Sequence, residues 1–520
     1  MRFAKIGSSL CLLCGALLAQ VAAPPDPCAA LVNLQVPGVA LTVTKAERIP
    51  AGPVRLGPGG AGPAVDLPAY CRLDGVIDRR TGAGGVTYGI GFALALPENW
   101  NGRFLFQGGG GLNGSVLPPY GASASGSEPA LARGFAVAST DSGHHGQGAF
   151  DASFMQDQQA SIDFAYAAVG RVAELAKRIV AQHYGKPAAR SYFAGCSTGG
   201  REAMLMAQRY PLYFDGVVAG APAMRTSFSG IGDRWVAVTL NQIAPKDAKG
   251  LPITRNALSE GDKKAVIDGL LQACDAADGL RDRMIFNLQA CRFDPKTLVC
   301  NGPKAEGCLS MEQAAVLEKA FAGPKDSKGR QVYPGFPFDT GIASAQGIPG
   351  LLYGGANPVG PGFTEIGMDV DGAVDRVSAD PAESLTATSR WTNLSTFSGH
   401  GGKLIFWHGV SDPWFSVLDT VAYYERMTKA NGGSEQVRPW SRLYVVPGMG
   451  HCGGGPETLD SLDALSAIVK WVEQGSAPES LTATGHAFPG RSRPLCAYPM
   501  HAHYKGQGNP EDAANFECRQ

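Results

Sequence analysis

Short apolar runs in the first half of the chain alternate with stretches in which apolar residues recur every three or four positions. The runs have the length and the β-branched or aromatic content of buried strands, and the recurring positions are typical of amphipathic helices. The predicted elements are strands at 88–97, 102–106, 135–140, 192–194 and 217–222, and helices at 162–182 and 201–208. This order predicts an α/β fold whose central strands are parallel.

The alternation of strands and helices stops near residue 222 and resumes at the apolar run 403–407. A further strand at 442–446 and a helix at 461–473 follow. The block between the two parts contains helical patterns and loops rich in Pro and Gly, so we predict an inserted domain that covers the functional site as a lid. The predicted domains are the two core segments 24–221 and 399–520 and the lid 222–398.

The first 23 residues carry Arg2 and Lys5 ahead of an apolar run and end in small residues. This is the pattern of a secretory signal peptide, and the run is too short and wrongly flanked for a membrane anchor. No later run of the sequence is apolar enough over a sufficient length to span a bilayer. We therefore predict a secreted or periplasmic protein.

The charge of the chain argues against several classes of partner. Lysine and arginine number 45 and the acidic residues 46, which leaves a net charge of −1 and a pI near 6.8. A chain so balanced offers no electrostatic surface for nucleic acid or for an anionic membrane. A small-molecule substrate that is neutral or weakly charged fits this composition better.

Ten of the twelve cysteines lie beyond the predicted signal peptide. An even number of cysteines in an exported chain predicts disulfide bonds before metal or redox sites. Short separations along the chain favour three local pairs, which are Cys274 with Cys291, Cys300 with Cys308, and Cys496 with Cys518. The count alone leaves the partners of the other four cysteines open.

The segment 191–200 reads Ser-Tyr-Phe-Ala-Gly-Cys-Ser-Thr-Gly-Gly and joins a predicted strand to a predicted helix. Gly195 and Gly199 stand two positions before and after Ser197, as in a nucleophile elbow, where a sharp turn leaves no space for side chains. A Gly-rich structural turn is the alternative, since the chain has 69 glycines. The flanking strand and helix favour Ser197 as a nucleophile.

A serine nucleophile needs an imidazole as general base and a carboxylate that orients the imidazole. Asp412 follows the strand 403–407, and His451 follows the strand 442–446 on a Gly-rich loop. A turn-forming aspartate before a proline and a surface histidine are the alternative interpretations. The order Ser197, Asp412, His451 is that of the α/β-hydrolases, so we predict this triad on an α/β-hydrolase core with a large inserted lid.

Four consecutive glycines at 108–111 follow the predicted strand 102–106. Backbone without side chains can turn its N–H groups toward a ligand, and half of the oxyanion hole lies at this position in hydrolases with a nucleophile elbow. We therefore predict an oxyanion hole formed by the N–H group of Thr198 together with that of Gly109 or Gly110.

Cys196 directly precedes Ser197, and Cys452 directly follows His451. If serine and histidine meet, the two cysteines are close enough for a disulfide, whose Cα atoms are about 4.4 to 6.8 Å apart. A Gly-Cys-Ser-x-Gly elbow, an aspartate and a His-Cys pair in this order resemble the tannase and feruloyl esterase family, which includes mono(2-hydroxyethyl) terephthalate hydrolase. The resemblance covers nearly the whole mature chain, including the segment 107–111.

The resemblance also assigns the remaining cysteines. It implies that Cys28 pairs with Cys71 and that Cys196 pairs with Cys452, beside the three local pairs. All ten cysteines of the mature chain would then be oxidised.

The acidic loop 275–284 is a further feature to which the resemblance applies. Three carboxylates on a short Gly-containing loop suit Ca²⁺, although a solvated acidic turn has the same composition. Members of the family carry a structural calcium in the lid at this spacing. The resemblance therefore implies a structural Ca²⁺ bound by the side chains of Asp275, Asp278 and Asp282 and by the backbone carbonyls of Leu280 and Met284.

These features together predict a secreted serine carboxylesterase that cleaves phenolic or related aromatic esters through an acyl-enzyme. The resemblance implies feruloyl or related hydroxycinnamoyl esters first, with galloyl esters or mono(2-hydroxyethyl) terephthalate as alternatives. Outside enzymes, the alternative is a catalytically silent binding protein on the same scaffold. The presence of all three triad residues argues against that alternative.

Overall fold

The computed structural model describes residue 1 and residues 26–57, 62–344, 347–349 and 363–520. The predicted signal peptide at 1–23 lies outside the described residues except for Met1. Within the described ranges, no helix has the length and apolar character needed to cross a membrane.

A strand forms at each predicted apolar run, although the strand predicted at 217–222 ends at Gly220, and further strands lie in the amino-terminal and carboxy-terminal segments. Their bounds are β1 (Leu41–Ile49), β2 (Gly52–Arg55), β3 (Ala64–Leu67), β4 (Tyr70–Thr81), β5 (Thr87–Pro97), β6 (Arg103–Gln107), β7 (Ala136–Thr140), β8 (Arg190–Cys196), β9 (Gly216–Gly220), β10 (Lys403–Gly409), β11 (Ser441–Val446), β12 (Ser461–Leu462), β13 (Ser480–Thr484), β14 (Arg493–Cys496), β15 (His501–Tyr504) and β16 (Phe516–Arg519).

Nine of these strands form one mixed sheet in the order β1-β4-β5-β7-β6-β8-β9-β10-β11. The pairings from β7 through β11 are parallel, and β1, β4 and β5 extend the sheet in antiparallel fashion. Parallel strands bring their carboxyl ends to one edge of the sheet, where the ligands of open α/β sheets bind. The loops after β6, β8, β10 and β11 therefore meet at this edge.

The helices cover both faces of the sheet and form most of the inserted segment. Their bounds are α1 (Gln158–Ile162), α2 (Ala168–Tyr184), α3 (Thr198–Gln208), α4 (Thr226–Leu240), α5 (Glu260–Cys274), α6 (Met311–Phe321), α7 (Val370–Ala379), α8 (Pro381–Thr386), α9 (Ser395–Gly399), α10 (Val417–Ala430), α11 (Ser434–Val437) and α12 (Ala464–Gln474).

Two apolar clusters, one on each face, hold the sheet between its helices. Phe104 and Phe106 of β6 belong to the cluster that contains the apolar residues of α2 and α3. Leu105, which points to the opposite face, belongs to the cluster that contains Ile468 and Trp471 of α12. Each fully buried side chain of this size contributes about 1.5 to 3 kcal/mol, so burial on both faces accounts for the continuous apolar runs in the sequence.

The helix predicted at 162–182 begins earlier and is not uniformly α-helical. It starts at Gln158, after an Asp157 side chain that accepts the N–H of Ala160, and a π-helical turn over Asp163–Ala167 separates α1 from α2. The buried guanidinium of Arg201 donates to two carbonyls in this turn. Because Arg201 supplies donors to these carbonyls, they do not need the regular hydrogen bonds of an α-helix, and this explains why a π-helical turn is tolerated here.

The helix predicted at 461–473 begins three residues later than expected. Ser461 and Leu462 form strand β12, which pairs with β13, and the side chain of Asp463 then caps α12 by accepting the N–H of Ser466. The prediction was wrong for these first residues because strand pairing and capping together set the start of the helix.

The described part of the segment 222–398 contains helices and short helical turns and no strand. It has its own apolar cluster, which includes Leu270 of α5 and Leu317 of α6. Capping boxes at Ser259 and Ser310 begin these two helices. A separate core of this kind is compatible with the predicted lid domain.

Five disulfides join ten of the twelve cysteines, and their partners are those of the predicted pairs. The bonds are Cys28–Cys71, Cys196–Cys452, Cys274–Cys291, Cys300–Cys308 and Cys496–Cys518.

Candidate active site

Ser197 lies in the turn between β8 and α3, with φ of 63° and ψ of −124°. A Cβ atom at Gly195 would stand 2.5 Å from the carbonyl oxygen of Gly199, and one at Gly199 would stand 2.6 Å from that of Gly109. Both positions therefore require glycine. The tight, positive-φ turn raises Ser197 above the carboxyl edge of the sheet, where a nucleophile elbow holds its serine.

Asp412 and His451 lie on the loops that follow the adjacent parallel strands β10 and β11. Asp412 Oδ2 is 2.7 Å from His451 Nδ1. The other carboxylate oxygen accepts the backbone N–H groups of Trp414 and Phe415 at 2.9 and 3.1 Å. The Asp412 side chain is fully buried, so its position and that of the imidazole are tightly defined.

His408, the residue directly after the predicted strand 403–407, also contacts Asp412. Its Nε2 atom is 3.2 Å from Asp412 Oδ2 and 3.0 Å from the carbonyl oxygen of Phe415, and Nδ1 is 2.8 Å from Thr420 Oγ1. Two acceptors around Nε2 place the proton on that atom, so Nδ1 accepts from the threonine hydroxyl. No spacing rule indicates this role, although His408 stands four residues before the aspartate.

The charge state of Asp412 follows from these contacts. Burial by itself raises the pKa of a carboxyl group, but the interactions with His451 and His408 outweigh burial and lower the pKa of Asp412 below its ordinary value. The carboxylate is therefore ionised over the working pH range. An ionised carboxylate at this position can stabilise a protonated His451.

The Cys196–Cys452 disulfide, with Cα atoms 5.9 Å apart, joins the elbow to the loop that carries His451. Ser197 and His451 line the same cavity, which has a volume of about 1060 Å³. Among the described residues, the Ser197 hydroxyl forms no hydrogen bond to the imidazole. Hydrogen bonds of this type are often long without substrate and shorten in the substrate complex.

The structure distinguishes between the two glycines predicted for the oxyanion hole. The N–H of Gly109 donates to Glu202 Oε2 at 2.8 Å, and the carbonyl of Gly109 accepts the N–H of Gly199 at 3.1 Å. Within the described residues, the N–H groups of Gly110 and Thr198 have no acceptor, and both residues line the cavity. Of the two predicted glycines, Gly110 keeps its donor available for a ligand.

Glu202 is a buried acidic residue of α3 that the sequence analysis did not identify. Its second oxygen, Oε1, accepts from Asn113 Nδ2 at 2.7 Å and from Ser142 Oγ at 3.1 Å. Burial raises the pKa of Glu202, while the hydrogen bonds that it accepts act in the opposite direction. Glu202 thus connects the Gly-rich loop to α3 by hydrogen bonds. Its local sequence does not distinguish it from an exposed acidic residue of a helix.

The walls of the cavity are mainly apolar. They include aromatic side chains, Leu117 and residues of helix α4. The aromatic residues in the wall are Tyr120, Phe150, Trp414 and Phe415. A cavity of this size and lining suits a substrate with an aromatic ring.

The family model for tannase and feruloyl esterase matches residues 73–352 and 365–519 of the chain. The chain belongs to the tannase and feruloyl esterase family. This membership confirms the predicted resemblance, and the solved structures below confirm the predicted fold class.

Several members of the tannase and feruloyl esterase family align over most of their length. Mono(2-hydroxyethyl) terephthalate hydrolase of Piscinibacter sakaiensis is 36% identical, with 88% of this chain and 85% of that protein covered. A probable feruloyl esterase of Arthroderma benhamiae is 31% identical, with 82% of this chain and 81% of that protein covered.

Two solved structures of the family superpose on nearly the whole chain. Feruloyl esterase B from Aspergillus oryzae has a TM-score of 0.76 at 25% identity and covers 95% of this chain and 99% of its own. Tannin acyl hydrolase from Aspergillus niger has a TM-score of 0.70 at 23% identity, with 92% of each chain covered, and shows the shared fold.

The residues predicted to bind calcium lie together on the loop 275–284. Asp275 and Asp278 are buried and accept backbone N–H groups, and Asp282 pairs with the guanidinium of Arg493. Burial, with added repulsion from the other two carboxylates, raises the pKa of Asp278 to about 7. A divalent cation would relieve that repulsion, and carboxylate and carbonyl oxygens are the ligands that Ca²⁺ prefers.

The chemistry of this donor set therefore fits the predicted ion. As placed, no group of three or more His, Cys, Asp or Glu side chains in the described ranges converges into a metal site. Calcium binding by the three aspartates, with the carbonyls of Leu280 and Met284, stays a prediction.

Proposed function

We propose that this protein is an exported serine esterase that hydrolyses esters of phenolic aromatic acids, with hydroxycinnamoyl esters as the first candidates. Family membership supports the predicted class, a carboxylic ester hydrolase. The observation that carries the proposal is the placement of Ser197 on a strained elbow, joined by a disulfide to the loop whose His451 is bound to buried Asp412.

The contacts of the triad define a role for each residue. Because His451 Nδ1 donates to Asp412, the lone pair of Nε2 is available to take the proton of the Ser197 hydroxyl. The serine oxygen then attacks the ester carbonyl, and protonated His451 gives the proton to the departing alcohol. Water, activated by the same imidazole, cleaves the acyl-enzyme and releases the acid.

The N–H groups of Gly110 and Thr198 are the proposed oxyanion donors. Both line the cavity, and both lack an acceptor among the described residues. Donors of this type typically contribute about 10² to 10³ in rate each, because they bind the charge that develops on the carbonyl oxygen.

The size and lining of the cavity support an aromatic acyl group. The two named relatives, a terephthalate-ester hydrolase and a probable feruloyl esterase, carry names that refer to aromatic esters. Galloyl esters and mono(2-hydroxyethyl) terephthalate are the alternative substrates.

We also propose that the segment 222–398 is the lid, because its helix α4 contributes Thr226, Ser229 and Gly230 to the cavity wall.

Export is supported by two independent features. The amino-terminal 23 residues have the composition of a signal peptide, and all ten remaining cysteines form disulfides. Disulfides persist in oxidising compartments, so we propose a periplasmic or extracellular location.

The proposed function is tested by initial rates on methyl ferulate, methyl gallate and mono(2-hydroxyethyl) terephthalate, together with labelling by a fluorophosphonate. We expect turnover with a preference for methyl ferulate, and covalent labelling that the Ser197→Ala variant lacks. That variant should also lose turnover by a factor of about 10⁴ or more. A wild-type protein that neither reacts with the fluorophosphonate nor cleaves any of the esters would instead be a silent binding protein.

A further inference from the structure

Asp233 is an acidic residue in the middle of helix α4, and it forms part of the wall of the active-site cavity. The residue is only 2% exposed, and its Oδ1 atom is buried without a hydrogen-bond partner among the described residues. The position lies eight residues after the arginine that precedes the helix, so the carboxylate does not cap the helix terminus. Among the described residues, no hydrogen bond or ion pair of Asp233 explains why a carboxyl group is buried at this position.

The basic residues nearest in sequence are bound to other acids. Arg225 pairs with Asp419 at 2.7 Å, and Arg234 pairs with Glu365 at 2.5 Å. Burial raises the pKa of Asp233 well above its ordinary value, and the negative charge of Asp412 raises it further. Both effects favour the neutral acid, which avoids the large free-energy cost of an unpaired buried charge.

A neutral carboxyl group has one hydrogen-bond donor and one acceptor. Left without partners in a mainly apolar wall, it destabilises the folded protein, because a polar group that loses its hydration without gaining a hydrogen bond has an unfavourable free energy. Ser197 and His451 line the same cavity, so a ligand bound for reaction can reach Asp233. A group that weakens the fold but faces the substrate is typical of a recognition site.

The chemistry of the cavity restricts the group that Asp233 can bind. A phenolic hydroxyl also offers one donor and one acceptor, and it is neutral, so it can satisfy a protonated carboxyl group without bringing charge into the cavity. A ring that carries a carboxylate would place a second negative charge near ionised Asp412. An unsubstituted ring would leave the acid unpaired, which is the condition under which polar sites reject an analogue most strongly.

We propose that Asp233 is a specificity-determining residue that binds the hydroxyl of a phenolic acyl group and selects it over unsubstituted and carboxylate-bearing rings. The inference rests on the proposed function, because it places the acyl group in the cavity that contains Ser197. The relatives' names refer to terephthalate esters and to feruloyl esters. The inference adds a preference for the second kind, the phenolic esters.

The first test compares kcat/KM for methyl 4-hydroxycinnamate and methyl cinnamate. We expect the wild-type protein to prefer the hydroxylated ester by at least about tenfold, the loss typical of one unpaired buried polar group. Asp233→Leu should reduce this ratio to near 1, mainly by slowing the hydroxylated ester, while Asp233→Asn, which keeps a donor and an acceptor, should retain a clear preference.

Glu383→Gln is the matched control. Glu383 is a 3% exposed acid in the same inserted segment, and its Oε2 atom also lacks a partner among the described residues, but it is not part of the described cavity wall. We expect Glu383→Gln to leave the ratio of the two esters unchanged. A ratio that falls equally in Glu383→Gln and Asp233→Leu would overturn the inference, since any buried acid of the segment would then have the same effect.

A second test needs no change at Asp233 and therefore does not depend on the folding of its variants. In the Ser197→Ala protein, 4-hydroxycinnamate should bind at least about tenfold more tightly than cinnamate, and terephthalate should bind most weakly of the three. Equal dissociation constants for the three acids would contradict the proposed role. Failure of the proposed function gives a different result, because the wild-type protein would then cleave neither methyl ester.

Discussion

Buried acidic residues near the active site differ in charge because their neighbours differ. Asp412 contacts two imidazoles, which lower its pKa despite burial. Asp141, in the loop after β7, has only backbone partners, since its Oδ1 atom accepts the N–H groups of Gly91 and Gly143 at 3.0 and 2.8 Å. Burial therefore dominates and raises the pKa of Asp141 to about 7. The same type of side chain is thus fully ionised at one site and remains protonated up to about pH 7 at the other.

This difference predicts a pH-dependent effect of Asp141→Asn, whose amide oxygen can accept the same two N–H groups. Below about pH 4 the carboxyl is protonated in both the folded and the unfolded chain. Between about pH 4 and the folded-state pKa of about 7, only the unfolded chain is ionised, so the wild-type free energy of unfolding falls as the pH rises. Each unit of pKa difference corresponds to about 1.4 kcal/mol.

We therefore expect Asp141→Asn to gain stability relative to the wild type between pH 4 and pH 7, and to keep a constant advantage above that range. Urea unfolding of both proteins at several pH values, with disulfides intact, measures this difference. A difference in unfolding free energy that does not change with pH would show that Asp141 is already ionised at pH 4 in the folded protein.

At the scale of elements, the loop after β11 combines the proposed general base with a glycine-rich backbone. Gly448, Gly453, Gly454 and Gly455 all have positive φ, a backbone conformation that other residues rarely adopt. Its His451 is held from outside the loop, by the Asp412 hydrogen bond and by the disulfide to Cys196. Positioning of the base thus depends on contacts between elements.

Removal of this disulfide should therefore reduce catalysis more than removal of another. We expect Cys196→Ala with Cys452→Ala to lower kcat/KM by about 10- to 100-fold, because displacement of a catalytic group by about 1 Å has an effect of this order. The control pair Cys300→Ala with Cys308→Ala opens a short loop of the segment 222–398 and should leave kcat/KM within about twofold. Rates for both variants, with thermal unfolding measured alongside, separate positioning from stability. Equal rates in the two variants would show that the loop holds His451 without the bond.

At the scale of the whole molecule, the acidic loop 275–284 connects the inserted segment to the carboxy-terminal part of the core. Arg493 of β14 pairs with Asp282, and Arg491 donates to the carbonyl of Asp282 at 2.9 Å. Arg283 of the same loop donates to Glu457 at 2.6 Å. An ion bound by this loop would therefore stabilise the contact between the inserted segment and the carboxy-terminal segment as well as the loop itself.

Calcium should raise the temperature of unfolding of the whole protein. A ligand at 100 times its dissociation constant stabilises the folded state by about 2.7 kcal/mol, which predicts a rise of several degrees in excess Ca²⁺ compared with EGTA. Asp278→Asn should abolish the response. Asp268→Asn, which changes an exposed acid of the preceding helix, should retain it. An unfolding temperature that is the same in Ca²⁺ and EGTA for the wild type would contradict the predicted site.

The sequence by itself determined the elements of the core and the positions of the triad. Apolar runs predict strands because the parallel strands β6 to β11 of the central sheet are buried on both faces, and the carboxyl ends of parallel strands meet at one edge. Ser197, Asp412 and His451 each follow such a strand, so their convergence could be inferred without coordinates. Local chain separation and the resemblance to a known family assigned the disulfides.

Only the tertiary structure decided how the site is supported and what its walls contain. Glu202 binds Gly109 across 93 positions of the chain, and this contact leaves Gly110 as the available donor. His408 contacts Asp412 because the turn after β10 folds back on the strand, and Asp233 faces the cavity because of how α4 lies over the core. Periodicity reports which face of an element is buried, whereas the partners of a buried polar group depend on packing between elements that are distant in sequence.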